Sequence, residues 1–363
     1  MSGLHVPFVD LRLTDDANDV RAAIDRVVAS GWFVLGAEVE AFERELAAAS
    51  GTTRAVGVGN GTDAIALILR ALGIGPGDEV ITTPFSAAYS ALAILMAGAR
   101  PVFADIDDER MTLAPAAAEA AVTSRTAAIL PVHLYGQAAD MPALASLAAN
   151  KGLALVEDCC QSHLATCAGR PVGTFGAAGA LSFYPTKNLG ALGDGGAVIT
   201  NDAALADRIA RLRNGGQTDR YHHVDAGVNS RLDELQAAVL RARLPGLRDR
   251  TAQRRTLATA YRSALAGAQV HVPVELDGGH VYHLFPIRSR QRAALQSRLR
   301  AEGIETLIHY PMTIPQQPAF AATEPAECPS AARAAAEVLS LPLYPKLSVE
   351  TVRAVAAVVR AAS

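Results

Sequence analysis

Apolar residues recur along the chain in two alternating rhythms. Over residues 19–30, Val20, Ala23, Ile24, Val27 and Val28 fall at spacings of three and four, which predicts an amphipathic helix. Residues 30–36 break it and display Trp32 and Phe33, suited either to lining a substrate site or to packing as an apolar plug. A second helix follows, carrying Val39, Phe42 and Leu46. From Arg54 the rhythm changes to short, nearly continuous apolar runs at 55–58, 79–82, 101–104, 127–130, 153–158, around Ala180 and at 197–200. Most are separated by helical patterns, at 62–72, from Ser86, at 115–122 and at 141–150. Repeated strand–helix units with apolar strands predict an α/β fold, a mainly parallel sheet covered on both faces. Ligands of such sheets collect at the carboxyl ends of the strands.

Two further helical patterns, at 203–213 and through Leu232, Leu235, Val239 and Ala242 to Arg243, end at Pro245-Gly246. That stop predicts a large domain over 1–245 and a small α+β domain over 246–363, joined by a long helix bearing Leu247, Leu257, Tyr261 and Leu265. A chain of 363 residues exceeds what one core holds, in keeping with two domains. An apolar fraction of 50% and a charged fraction of 19% argue against wholesale disorder. The net charge of −3, with basic residues scattered, gives no reason to expect nucleic-acid binding. Cys159, Cys160, Cys167 and Cys328 lack the spacing of a disulfide framework or a metal site and read as packed thiols. No stretch is apolar for long enough to span a membrane, and the first ten residues lack the pattern of a secretory leader. A cytoplasmic protein is the expectation.

The candidate chemistry centres on residues 180–196, where Lys187 lies between an apolar run containing Ser182 and a glycine-rich turn. Upstream, the 153–158 strand ends in Asp158. A lysine and a carboxylate at two strand ends suit pyridoxal phosphate. The amine forms an imine with the cofactor, and the carboxylate keeps its ring nitrogen protonated. Gly59-Asn60-Gly61-Thr62-Asp63 leads from a strand into a helix, and its free N–H groups suit a single phosphate. It lacks the lysine of a P-loop and the three-glycine spacing of a dinucleotide site, which leaves an oxidoreductase as the weakest reading.

The segments GNGTDA (59–64), PVHLYGQAADM (131–141), LVEDCCQSH (155–163), SFYPTKNLGALGDGG (182–196) and NSRLDELQAAVL (229–240) resemble the DegT/DnrJ/EryC1/StrS sugar aminotransferases. The likeness continues through LIHYP (307–311) to LSLP (339–342), nearly the whole chain. It implies the fold of aspartate aminotransferase, fold type I, with a seven-stranded sheet. It also implies pyridoxal 5′-phosphate as cofactor, Lys187 as the imine lysine and Asp158 as the partner of the ring nitrogen. By the same resemblance Gln161 lies near the cofactor's phenolic oxygen, and Gly61, Thr62 and Ser182 bind its phosphate. Asn229 resembles an asparagine that reaches the phosphate from a neighbouring subunit, implying a homodimer with shared sites; taken alone, Asn229 or Ser230 also suits a helix N-cap.

The implied reaction is a ping-pong transfer of the amino group of L-glutamate to a keto sugar. The segments YHLF (282–285) and TLIHYP (306–311), with Leu192 and His163, are closest in look to enzymes that aminate C3 of nucleotide-linked, dTDP-type 3-keto-6-deoxyhexoses. His163, Tyr184, His309 and Tyr310 are then candidate sugar contacts, with Trp32 and Phe33, and Arg220, His222 and His223 are candidates for a nucleotide diphosphate. The alternatives are a 4-keto nucleotide sugar, a keto-cyclitol as in aminoglycoside-type pathways, or a cofactor-binding regulator without activity. Three positions depart from the family pattern. Ala87 stands where many relatives stack an aromatic on the cofactor, Thr186 replaces a frequent glycine, and residues 313–316 lack a histidine common in the 3-amino group.

Overall fold

The computed structural model describes residues 5–13, 15–323 and 326–362. Residues 1–4, at the start of the large domain expected over 1–245, lie outside them. Helices α1 (Ala17–Ser30) and α2 (Ala37–Ser50) come first, then strand β1 (Arg54–Val58) and helix α3 (Gly61–Ala71). Next are β2 (Glu79–Thr82), α4 (Tyr89–Met96), β3 (Arg100–Phe103), α5 (Pro115–Ala120), β4 (Thr126–Leu130), α6 (Met141–Lys151) and β5 (Ala154–Asp158). Strands β6 (Ala178–Ser182) and β7 (Gly196–Thr200) complete a seven-stranded sheet in the order β1-β7-β6-β5-β4-β2-β3. Only β7 runs against its neighbours, pairing antiparallel with β1 and β6. The helix expected from Ser86 begins at Tyr89, so Ser86 and Ala87 lie in the turn before it.

Alternate strand residues feed two separate cores, as a pleat of period two requires. Val56, Val58, Val80, Ala128, Val156, Ala180 and Val198 pack with α3, α4 and α7 (Ala203–Leu212). Ala55, Ile81, Ile129, Leu155, Leu181 and Ile199 pack on the other face with α2, α6 and α8 (Glu234–Arg243). Helix α8 starts at Glu234 behind Asp233, so neither Asn229 nor Ser230 caps it. The Ser230 hydroxyl instead donates to Asp63 (2.6 Å) and accepts the Gly59 N–H (3.0 Å), tying this loop to the turn before α3.

The later elements are α9 (Leu247–Ala264), β8 (Phe285–Arg288), α10 (Arg292–Ala301), α11 (Pro329–Glu337), β9 (Val338–Leu341) and α12 (Val349–Ala362). Strands β8 and β9, far apart in sequence, pair antiparallel among these helices. Leu257 and Tyr261 of α9, Phe285 and Ile287 of β8, Leu339 and Leu341 of β9, and Val352 and Val355 of α12 share a third core. Val6 joins that core, so the amino-terminal segment reaches back to the carboxyl-terminal elements. A fourth cluster, with Phe85, Val132, Tyr135, Leu284 and Val338, packs the two assemblies together over the strands' carboxyl ends. No helix among the described residues is long and apolar enough to cross a membrane.

Candidate active site

At the carboxyl end of the sheet the strand register brings the distant motifs together. Asp158 sits opposite Ala180 on the parallel β5–β6 pair, and Gly196 lies between Val58 and Ser182. A Cβ on Gly196 would approach the Asn60 carbonyl carbon and oxygen to 2.4 Å. Glycine there lets the turn into α3 lie directly over β7. Gly61 is as confined, since a Cβ would meet Cys160 Sγ at 2.7 Å and Ser182 Cβ at 2.8 Å. Asn60 caps α3 by accepting the Asp63 N–H (2.9 Å), leaving the N–H groups of Gly61 and Thr62 without an acceptor among the described residues. Free amides, a helix N-terminus and the half-buried Ser182 hydroxyl make a cradle for one phosphate.

Asp158 is buried, and both its oxygens are held. One accepts the Cys160 N–H (3.0 Å), the other the Ser90 hydroxyl (2.6 Å). Lys187 follows β6 on a tight loop closed by Lys187 N–H to Tyr184 O (2.8 Å) and Ala191 N–H to Phe183 O (2.7 Å). The surrounding apolar wall pushes the lysine amine below its ordinary pKa, against the opposing pull of Cys160 and Asp158. Lys187, Asp158, Gly61, Thr62, Gln161, Ser182, Tyr184, His309 and Tyr310 all line one cavity of about 1130 Å³. Gln161 is locked by the Tyr135 N–H (2.8 Å) on its oxygen and by its own amide donating to the Tyr310 hydroxyl (3.3 Å). Burial raises the Tyr310 hydroxyl to about 12 and, with Lys187 nearby, lowers His309 to about 4, so both are neutral at physiological pH.

Other candidates fall elsewhere. His163 is buried behind β6, its Nε2 bonded to Ser182 O (2.9 Å) and its ring beside Phe183, off the cavity wall. Trp32 and Phe33 are 63% and 49% exposed and do not line the cavity within this chain. They are therefore not a plug in its core. Asn229 is exposed and pairs its backbone with Asn214, also away from this chain's own cavity. Arg220, His222 and His223 lie on an exposed ribbon. Ala87 and Tyr89 both face the cavity, so an aromatic ring is present two positions past the expected one. The cavity also holds Ser90, His283 and Arg254, none of them among the sequence candidates.

One buried cluster unites His133, Glu157 and Cys159. The His133 ring bonds Glu157 (3.1 Å) and accepts the Ala139 N–H (3.1 Å), while Glu157 also accepts the N–H groups of Gly173, Phe175 and Gly176. With these partners in place it is a strut under the site.

The sequence as a whole matches the DegT/DnrJ/EryC1/StrS aminotransferase family over residues 14–360. The chain belongs to that family. It is 48% identical over 348 residues to dTDP-3-amino-3,4,6-trideoxy-alpha-D-glucose transaminase of Streptomyces venezuelae, covering 94% of this chain and 92% of that one. It is 45% identical over 359 residues to UDP-N-acetyl-3-dehydro-alpha-D-glucosamine 3-aminotransferase of Acidithiobacillus ferrooxidans, covering 98% and 97%. The crystal structure of S. venezuelae DesV in complex with a ketimine intermediate matches with a TM-score of 0.96 at 47% identity, over 98% of both chains. The DegT-family chain is thus an aminotransferase of the mainly parallel α/β, fold type I class.

Proposed function

We propose that this aminotransferase uses pyridoxal 5′-phosphate to move the amino group of L-glutamate to a nucleotide-linked 3-keto sugar, as a cytoplasmic homodimer. The observation that carries the cofactor reading is the fit of three groups in one cavity: the amide cradle at Gly61-Thr62, the doubly held Asp158 and Lys187. When bound, the cofactor supplies an electron sink for the carbon that loses or gains the proton.

The chain's own residues do the rest. Gly61, Thr62 and Ser182 grip the phosphate, with Asn229 of a second copy as a further donor. Asp158, fixed by Ser90 and Cys160, would present its carboxylate to the ring nitrogen, and Gln161 would lie near the phenolic oxygen. Lys187 would hold the cofactor through its amine and, when free, would carry the proton at the reacting carbon. Its lowered pKa favours the neutral amine that can accept that proton. Neutral His309 and Tyr310, with Tyr184, offer hydrogen bonds to sugar hydroxyls. Relatives at 45–48% identity named for amination at position 3 support the C3 reading. We place the small domain after residue 245, where α9 departs.

The test is to load the purified protein with pyridoxal phosphate, reduce it with borohydride and map the labelled peptide. Label on Lys187 is expected; a protein that stays colourless, or is labelled at another lysine, sinks the assignment.

A further inference from the structure

Three arginines are buried among the described residues: Arg213, Arg254 and Arg288. Two have carboxylate partners, Arg213 with Glu43 (2.5 Å) and Arg288 with Asp108 (2.7 Å). Arg254 has none. It lies on α9, is 6% exposed and lines the active-site cavity. Its Nη1 donates to the carbonyls of Tyr282 (3.2 Å), His283 (3.3 Å) and Leu343 (2.9 Å). A guanidinium has five N–H donors in a planar fork. Those on Nη1 serve the loops, and the Nε and Nη2 donors have no acceptor among the described residues. None of the Arg254 nitrogens is both sealed from solvent and unpartnered, so its free donors open onto the cavity.

Burying a cation without a counter-charge is costly, and the nearby charge that acts on Arg254 is the like-signed Arg250. Together these lower the guanidinium to about 10. The missing partner is therefore an anion that enters with a ligand. The cavity's other anion cradle, at Gly61-Thr62, belongs to the sheet and takes the cofactor phosphate under the reading above. Arg254 instead reaches in from α9, next to His283, whose ring is held neutral by burial and by the nearby charges of Lys187 and Arg254. Arg254 and Lys187 thus both line this cavity and both act electrostatically on His283. An amino-acid donor must place its amine at Lys187 with a carboxylate close by, and that carboxylate matches the two-pronged free face of the guanidinium. A nucleotide diphosphate fits less well, being set back from the reacting carbon by the sugar ring, whereas Arg254, 6% exposed, leaves only its Nε and Nη2 donors for a ligand.

We propose that Arg254 anchors a carboxylate of the amino-acid donor, gripping it with Nε and Nη2 while Nη1 stays tied to the loop carbonyls. The inference rests on the transaminase reading. His283, its Nδ1 unpartnered and buried, lines the same cavity as the anchor and the lysine.

The test follows the donor half-reaction of the holoenzyme through the loss of visible cofactor absorbance, at increasing L-glutamate. In Arg254→Gln the half-saturating concentration should rise by roughly thirtyfold or more, as for truncation of one partner in a buried charge pair. Arg254→Lys should recover part of the loss, and the acceptor half-reaction should saturate as in the wild type. Calorimetric binding of 2-oxoglutarate to the aminated holoenzyme should weaken in parallel. With wild-type protein, one of the two monoamides of glutamate should fail to saturate, which needs no variant to fold. Unchanged glutamate saturation in Arg254→Gln, a defect confined to the acceptor half-reaction, or equal saturation by glutamate and both monoamides would each overturn the anchor. A wild-type holoenzyme that reacts with no amino acid would instead reject the transaminase reading itself.

Discussion

Asp158 is held from two sides by groups of different origin. The Cys160 N–H comes from the turn that ends β5, whereas the Ser90 hydroxyl comes from α4, 68 positions away in sequence. Its Oδ atoms are thus fixed before any ligand arrives, an orientation that costs nothing at the moment of reaction. Asp158→Asn preserves shape and removes charge. Its turnover should fall by roughly a hundredfold or more while the fold and the Cys160 contact persist. Steady-state rates beside a far-ultraviolet spectrum check this, and near wild-type turnover in the Asp158→Asn variant would deny the carboxylate its role. Asp158, Lys187, Gly61 and Ser182 are readable because each sits at a strand end or turn where motif and chemistry coincide. Ser90 is hidden inside the apolar run of α4, where one small polar residue carries no periodic signal. Arg254 is masked by the basic stretch 248–255, which reads as a solvated face. Its signal is positional: Leu247, Thr251, Arg254, Ala258 and Tyr261 follow spacings of four, three, four and three along the buried stripe of α9.

At the scale of elements, the site depends on strand ends meeting loops at fixed heights. Glu157 and Asp158 are consecutive on β5 and so point to opposite faces. Asp158 serves the cavity. Glu157, fully buried, gathers the N–H groups of Gly173 (2.7 Å), Phe175 (2.7 Å) and Gly176 (3.1 Å), which lead into β6 and so towards Lys187. Glu157→Gln replaces two acceptor oxygens by one and puts an amide N–H against backbone donors. It should destabilise the protein by about 3 kcal/mol. Urea unfolding measures the shift, and a midpoint unchanged from wild type would show that the strut contributes nothing. The βα rhythm exposes most of these elements, because strands buried on both faces leave apolar runs. Helix starts are less legible: the Ser86–Ala88 turn is built of serine and alanine, the same small residues that recur at the start of the helix it precedes. The Asn229–Ser230 loop looks like a cap since the residue types suit one, but Ser230 spends its hydroxyl on Gly59 and Asp63.

For the whole molecule, two assemblies close over one cavity. The sheet supplies the phosphate cradle, Asp158 and Lys187, and the elements after α8 supply Arg254, His283, His309 and Tyr310. The residues proposed to hold the cofactor thus belong to the sheet, and those proposed for donor and acceptor come from the carboxyl-terminal part and from Tyr184. The exposed Trp32, Phe33 and Asn229 lie off the cavity of their own chain. Sequence patterns single out the residues proposed for the cofactor, and these line one cavity. The acceptor half is obscured because it is built from single residues on separate loops, brought together only by the packing of Phe85, Val132, Tyr135 and Leu284.

The most direct measurement takes the holoenzyme after reaction with glutamate and mixes it, in separate trials, with a nucleotide-linked 3-keto-6-deoxyhexose, a 4-keto sugar and a keto-cyclitol. Rapid return of the visible absorbance of the Lys187-bound cofactor with the 3-keto sugar is the predicted result; return with only the 4-keto sugar or the cyclitol, or with none of the three, would contradict it.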